Sequence, residues 1–362
     1  MIVELHMLQN FAPSCLNRDD TGSPKECEFG GHRRARISSQ CIKRAMREHF
    51  RESRMLTSES LAKRTKLVAD ELTRRLVSQG KDAEQTQSAV SKALNGLKLS
   101  LVKERKTEYL VFIGETELAN LANVILNYWT ELQAKELSKD LEKRLLGVLD
   151  GGKAVDLALF GRMLADLPEK NIDAACQVAH AFSTHKVGVE FDFYTAIDDL
   201  QPKEEAGAGM MGTIEFNSAC YYRYANIDTG QLKGNLGGDE VLARKAVEAF
   251  IRAAVTAVPT GKQASMASPN PPSFVFAVVR DSGTWSLANA FVKPIYPDKD
   301  SDLVRLSTAV MVDYWNKLTK VYGNASIKTR VALSLDDASF TGLDKAESLD
   351  KLVCAVDKAI TF

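Results

Sequence analysis

Strand-like alternation opens the chain, gives way from about Glu59 to Leu167 to helical periodicity, and returns at Ala174. A strand pattern split by so long a helical segment demands a sheet domain carrying a helical insertion. Ile2 to Phe11 places Val3, Leu5 and Met7 on one face of a first strand. Inside the insertion, helices are expected at Leu61-Ala62 through Leu76, Ala83 to Leu97, Leu118 to Leu137 and Leu141 to Leu149, with Gly151-Gly152 as a break. Strand signals then fall at Ala174 to Val187 and Thr213 to Asn226. Between them lies a polar, aperiodic stretch, Leu200 to Gly212, where Gly207, Gly209 and Gly212 predict a flexible loop. A helix over Asp239 to Val258 leads through a Pro- and Ser-rich loop, Pro259 to Ser273, to an apolar strand, Phe274 to Val279. With the insertion set aside the order is β, α, β, β, α, β, an α+β chain of the ferredoxin-like kind, the arrangement RRM domains share. A helix from Leu303 to Val321, a strand from Ile327 to Leu335 and a terminal helix from Lys345 to Ile360 follow. The 362 residues suit about two domains.

Charge is neutral overall, with 47 basic and 47 acidic residues, yet it is unevenly placed. Between Arg33 and Arg54, Arg33, Arg34, Arg36, Lys43, Arg44, Arg47, Arg51 and Arg54 face only Glu48 and Glu52. Such a patch is the electrostatic footprint of a nucleic-acid surface. Gly30 and Gly31 precede it and predict a loop able to wrap a ligand. Ser38 or Ser39 is a suitable N-cap for a helix over Gln40 to Glu52. Ile42, Ala45, Met46 and His49 or Phe50 would face a core, while Lys43, Arg47, Arg51 and Arg54 would line the adjoining face. Ser38, Ser39 and Gln40 then sit where a helix N-terminus accepts phosphate oxygens. A merely solvated basic face is the competing account.

Other classes find little support. The six cysteines, at 15, 27, 41, 176, 220 and 354, form no C-x-x-C pair and no cluster with histidine, so free thiols in a reducing cytosol are expected. No apolar stretch approaches membrane-spanning length and no leader pattern opens the chain, so a cytoplasmic location is expected. No Gly-rich phosphate loop, nucleophile elbow or His-rich metal string occurs, and no cofactor is implied. His180 and His185 fall in an expected strand and suit structural roles. An RNP1-like string is absent, which argues against a plain RRM.

Several separated strings resemble one family. They are Pro13-Ser-Cys-Leu-Asn-Arg-Asp-Asp20, Phe29-Gly-Gly through Met46, Phe160-Gly-Arg-Met163, Ala179-His-Ala-Phe-Ser-Thr-His185, Asp192-Phe-Tyr-Thr-Ala-Ile-Asp-Asp199, Tyr222-Arg-Tyr-Ala-Asn-Ile227, Val258-Pro-Thr-Gly-Lys-Gln263 and Ser286-Leu-Ala-Asn-Ala-Phe291. Together they look like the CasC family, the backbone subunit of the type I-E CRISPR surveillance complex Cascade. The resemblance implies a ferredoxin-like palm, a helical fingers insertion and a long thumb loop. Residues 1–57 would begin the palm and carry the RNA-binding helix, 58–173 the fingers, 174–189 a palm strand, 190–215 the thumb, and 216–362 the rest of the palm with the C-terminal helices. Copies would stack head to tail along a crRNA guide and present it for pairing with target DNA. Their partners would be the large subunit, the small subunit, the 5′-handle-binding subunit and the repeat endonuclease. Sequence specificity would rest on base pairing, the protein holding phosphates and geometry.

Residue by residue, the resemblance and the basic run imply RNA contacts at Asn17, Arg18, Arg33, Arg34, Arg36, Ser38, Gln40, Lys43, Arg44, Arg47 and Lys262. Met163 would wedge against a base; a core methionine is the alternative. Phe193, Tyr194 and Thr195 would form the base-stacking part of the thumb, where the family form has Trp-Phe and this chain has Phe-Tyr. Two strand-core aromatics are the alternative there. Lys135, Lys139 and Lys143 recur every fourth residue and are candidate target-DNA contacts, against an ordinary solvated helix with Glu136, Asp140 and Glu142 interleaved. Two rival functions stay open: a metal-dependent RNase of the type III backbone kind using Asp19 and Asp20, and a general single-strand RNA-binding protein.

Overall fold

Val3, Leu5 and Met7 are buried, and so are Glu4, His6 and Leu8, which alternate with them, because the first strand lies inside a sheet covered on both faces. The computed structural model describes residues 1–134, 137–197, 199, 208–299, 301–336 and 342–362. In chain order it begins with β1 (Ile2–Ser14), β2 (Glu26–Phe29), β3 (His32–Ile37) and α1 (Ser39–Glu52). Next come β4 (Ala62–Thr65), α2 (Val68–Val77), α3 (Ala83–Gly96), β5 (Val111–Gly114), α4 (Glu115–Asn127), α5 (Trp129–Gln133), α6 (Lys139–Val148) and α7 (Val155–Phe160). They are followed by β6 (Cys176–Val178), β7 (Ala181–Ser183), β8 (Glu190–Ile197), β9 (Ala208–Asp228), α8 (Thr229–Asn235), α9 (Glu240–Thr256) and α10 (Gln263–Met266). The chain closes with β10 (Phe274–Arg280), α11 (Leu303–Tyr322), β11 (Ile327–Ser334), β12 (Asp344–Lys345) and α12 (Leu349–Ala359).

The large sheet runs β12-β11-β10-β1-β9-β7-β3-β2, with β6 and β8 also paired to β9. Its centre, β10-β1-β9-β7, has the ferredoxin-like order, with α1 and α9 as the two crossover helices. By packing, the described residues form two compact units. One comprises Met1–Phe50, Val178–Asn226 and Glu248–Thr361; the other comprises Arg51–Gln177, Ile227–Val247 and Phe362. The second unit thus includes residues 227–247, expected from sequence with the palm. Asn235 Nδ2 donates to the carbonyls of Ala158 and Asp173 at 2.9 and 2.8 Å, which ties α8 to the insertion.

In the first unit an aromatic core gathers Leu8, Tyr222, Phe276, Phe291, Met311 and Trp315. One buried carboxylate enters it well partnered: Glu4 accepts from Tyr224 Oη at 2.7 Å, from Trp285 N at 2.7 Å and from Arg280 Nη1 at 3.2 Å. The second unit buries leucines of α2, α3, α4 and α6 together, among them Leu72, Leu94, Leu118, Leu121, Leu141 and Leu145.

Four sequence expectations are corrected. Gly30 and Gly31 do not open a wrapping loop; with φ of 62° and 75° they form the two-residue turn of the β2–β3 hairpin, in which Phe29 pairs with His32. A Cβ on Gly30 would stand 2.1 Å from the Val292 carbonyl oxygen, so only glycine fits. The insertion is not purely helical: Ala62–Thr65 pairs antiparallel with Val111–Gly114, a partner too distant in sequence to register in a local period. The helix expected through Leu137 stops at Tyr128 (φ −110°, ψ 28°) and resumes as α5. Finally, residues 208–212 belong to β9 and pair with β8, while Gly207 lies outside the described residues.

Candidate nucleic-acid interface

Ser38 caps α1, its Oγ accepting from Cys41 N at 3.3 Å, and Ile42, Ala45, Met46 and Phe50 bury the inner face. The loop after β1 is stitched to the helix start, since Asn17 Oδ1 accepts from Ser38 N at 2.8 Å. A third segment reaches the same place. Gly261 approaches so closely that a Cβ would sit 2.3 Å from the Leu16 carbonyl oxygen. These three segments, far apart in sequence, wall an open concavity of about 560 Å³ that includes Asn17, Arg18, Asp19, Asp20, Arg44 and Thr260. Lys262 adjoins it with φ 52°, and its carbonyl accepts from Met266 N at 2.9 Å. Arg18 and Gln40 are exposed, and Lys43 and Arg47 are half-buried along α1.

The basic run is less uniform than its composition. Arg34 is 0% exposed and donates to the carbonyls of Ser183 (3.0 Å) and Phe291 (2.9 Å), so it is a core strut and not an RNA contact. The strand is covered on both faces at this point, since Ala35 is buried as well, and local sequence does not show that cover. Arg33 pairs with Glu26 at 2.6 Å and Arg44 with Glu48 at 2.9 Å, both on the surface. Arg36 donates to the Glu26 carbonyl and meets His180 Nδ1 at 3.1 Å. Arg51 donates to the Ala62 carbonyl at 2.9 Å. Asn17 and Ser38 spend side-chain oxygens on the fold. His185 Nε2 accepts from Cys220 N at 3.2 Å, a structural bond.

Asp19 serves its own loop. Its Oδ1 accepts from Thr21 N, Thr21 Oγ1 and Ser23 N at 3.0, 2.8 and 3.0 Å, which holds its carboxyl below the usual range. Among the described residues no group of three His, Cys, Asp or Glu side chains gathers to hold a metal, so Asp19 and Asp20 lack a third protein ligand.

Among the described residues of the segment expected as a thumb, β8 and β9 pair as a β-ribbon. Phe193 lies opposite Thr213 and Tyr194 opposite Gly212, so the two rings point to opposite faces. Phe193 is 64% and Phe191 68% exposed, which removes the strand-core alternative for Phe193. Tyr194 covers Gly212, where a Cβ would stand 2.5 Å from the ring. Thr195 is exposed on the Phe193 face, opposite Met211. Phe191 and Met211 on that face were missed from sequence; period-two alternation across Phe191 and Phe193 was the available signal.

In the second unit Met163 is 82% exposed, so it is not a core methionine. Gly161 precedes it at φ 79°, and Arg162 exchanges backbone hydrogen bonds with Ile172 at 2.9 Å each. The buried Arg162 guanidinium pairs with Glu117 at 2.8 Å, and Glu117 also accepts from Gly114 N and Gly151 N. The turn is thereby fixed from below. Lys139 and Lys143 are exposed on α6, where Arg144 and Asp140 pair at 2.7 Å; Lys135 lies outside the described residues.

A family model described as CT1975-like protein matches residues 3–355. The chain belongs to that family. No curated protein matches it. Among solved structures, this CT1975-like chain resembles one chain of a pre-nicking CRISPR RNA-guided surveillance complex at 31% identity and a TM-score of 0.86. The match covers 99% of this chain and 100% of that one. A second CRISPR RNA-guided surveillance complex contains a chain 26% identical, with a TM-score of 0.75 and the same coverage. The CT1975-like chain is thus similar, over nearly its whole length, to components of such complexes, and no described helix is long and apolar enough to cross a membrane.

Proposed function

We propose that this chain is a non-catalytic backbone subunit of a CRISPR RNA-guided surveillance complex, stacking head to tail on a guide RNA and presenting it to target DNA. The observation that carries the proposal is the convergence of the loop after β1, helix α1 and the Gly261 segment on one open concavity, lined by Arg18 and Arg44 together with Asp19, Asp20 and Glu48. A helix start beside an open groove, with Arg18 and Arg44 on its wall and Lys43 and Arg47 farther along α1, suits a phosphate backbone better than a small-molecule pocket, while Asp19, Asp20 and Glu48 restrict where a phosphate lies. Arg18, Gln40, Lys43, Arg44, Arg47 and Lys262 are the proposed phosphate contacts, with Arg33 and Arg36 at the edge. Met163, Phe193, Tyr194 and Thr195 would shape the bases, and Lys139 and Lys143 would meet target DNA. Whole-length likeness to chains of two surveillance complexes supports the assembly role. The test is the nucleic acid retained when the chain is isolated with its native partners. RNA of one discrete length is expected; heterogeneous RNA, or none, would overturn the proposal in favour of general strand binding or another role.

A further inference from the structure

His180 stands exposed just before β7, and its Nδ1 lies 3.1 Å from Arg36 Nη1. A guanidinium only donates, so Nδ1 accepts and the neutral ring carries its proton on Nε2. Arg36 is aimed by a second bond, from Nε to the Glu26 carbonyl at 3.2 Å, which leaves Nη2 without a hydrogen bond among the described residues. Lys25 stands across from Arg36, its carbonyl accepting from Arg36 N at 2.8 Å, and has no ion pair among the described residues. The nearby acids are turned elsewhere. Glu26 and Glu28 stand opposite Ala35 and Arg33, on the other face of the β2–β3 hairpin, and Glu26 is bound to Arg33 at 2.6 Å. Tyr222 and Tyr224 of β9 are buried, and Cys27, on the Arg36 face, is a thiol whose pKa burial raises. Three donors therefore gather at the β2 edge of the sheet with no carboxylate on that face of the hairpin.

We infer that Lys25, Arg36 and His180 form one phosphate subsite for single-stranded RNA, in which protonation turns His180 from the acceptor that holds Arg36 into a donor to the same anion. The inference rests on the guide-RNA proposal but adds Lys25 and His180 to it, and with them a pH dependence. In the chain alone, desolvation and then the charges of Arg36 and Lys25 hold the His180 pKa below the ordinary histidine value. A phosphate beside Arg36 reverses the charge that the ring meets, so the RNA-bound chain takes up a proton that the free chain lacks. Affinity therefore rises as pH falls through the histidine range.

The test uses the full chain and oligouridylate, which has no group titrating between about pH 5.5 and 7.5, so any proton taken up belongs to the protein. His180→Gln keeps an acceptor for Arg36 but takes no proton. At fixed ionic strength, wild-type affinity should rise about threefold more than that of His180→Gln over this range, the size of one exposed charge pair. The comparison removes whatever His32 and His49 contribute. His180→Lys should bind near neutral pH as tightly as wild type does in mild acid. Lys25→Ala should flatten the salt slope by about 0.7, the single-strand value for one phosphate contact. Thermal melts matching wild type would establish that the variants fold. Equal pH profiles in wild type and His180→Gln, with RNA bound by both, would overturn the subsite and leave the guide-RNA proposal standing. If wild type binds no single-stranded RNA at any pH, both fall.

Discussion

Arg34 and Lys43 belong to one basic run, yet their environments assign them opposite work. Arg34 satisfies buried carbonyls of Ser183 and Phe291. Removing it leaves those acceptors unpaired, so Arg34→Ala should cost on the order of 3 kcal/mol of stability, read from chemical denaturation. Lys43→Ala with Arg47→Ala should lower the denaturation midpoint less than Arg34→Ala does, because both side chains are only half-buried. It should also flatten the salt dependence of RNA binding by about 1.4, at about 0.7 per lost phosphate contact. The two variants exchanging these phenotypes would reverse the assignment.

Among elements, the β8–β9 ribbon is the clearest case of shape deciding role. Phe191, Phe193 and Met211 share one face, while Tyr194 lies on the other, seated over Gly212. Exposed rings on a two-stranded ribbon have no fold of their own to stabilise, which leaves them available for bases or a neighbouring copy. Phe193→Ala should therefore lower the cooperativity of assembly on a long RNA more than the affinity of one copy for a short one, since phosphate contacts dominate that affinity. Equal loss in both titrations would place Phe193 in ordinary strand binding. Gly212→Val should disturb the ribbon itself, because the Tyr194 ring must move to admit the side chain.

At the scale of the whole molecule, the sheet carries titratable groups in its core. His6 is fully buried, bonded through Nδ1 to Tyr222 Oη at 3.0 Å, and ringed by Tyr224, Phe276 and Trp315. Desolvation, helped by Arg280, lowers its pKa to about 3. An unfolded chain protonates this imidazole near pH 6.5 and the native one does not, so its stabilisation is complete above pH 6.5 and is lost as pH falls toward 3. Glu4 opposes the trend: burial raises its pKa, so the native state takes up that proton earlier than the unfolded chain. Comparing wild type with His6→Gln separates the two. The urea midpoint of wild type should correspond to about 1 kcal/mol less stability at pH 5.5 than at pH 7.5, and the variant, less stable throughout, should lack that component. Parallel pH profiles would show that His6 is not the titrating group.

Local pattern alone determined the β, α, β, β, α, β order, the positions of α1, α9 and α11, and the segments carrying the family likeness, because hydrophobic period and charge are short-range properties. Tertiary structure alone decided which bases face water. Arg34 is inward and Lys43 is not because of strand β7 and the Phe291 segment, both distant in sequence. Likewise β4 exists only because β5 supplies its hydrogen bonds, and with it comes Arg64 over Phe112. The concavity beside α1 is formed by the Gly261 segment meeting Leu16, a contact no window of sequence contains. Composition can announce a phosphate-binding patch, but long-range pairing and burial decide which charges remain at the surface.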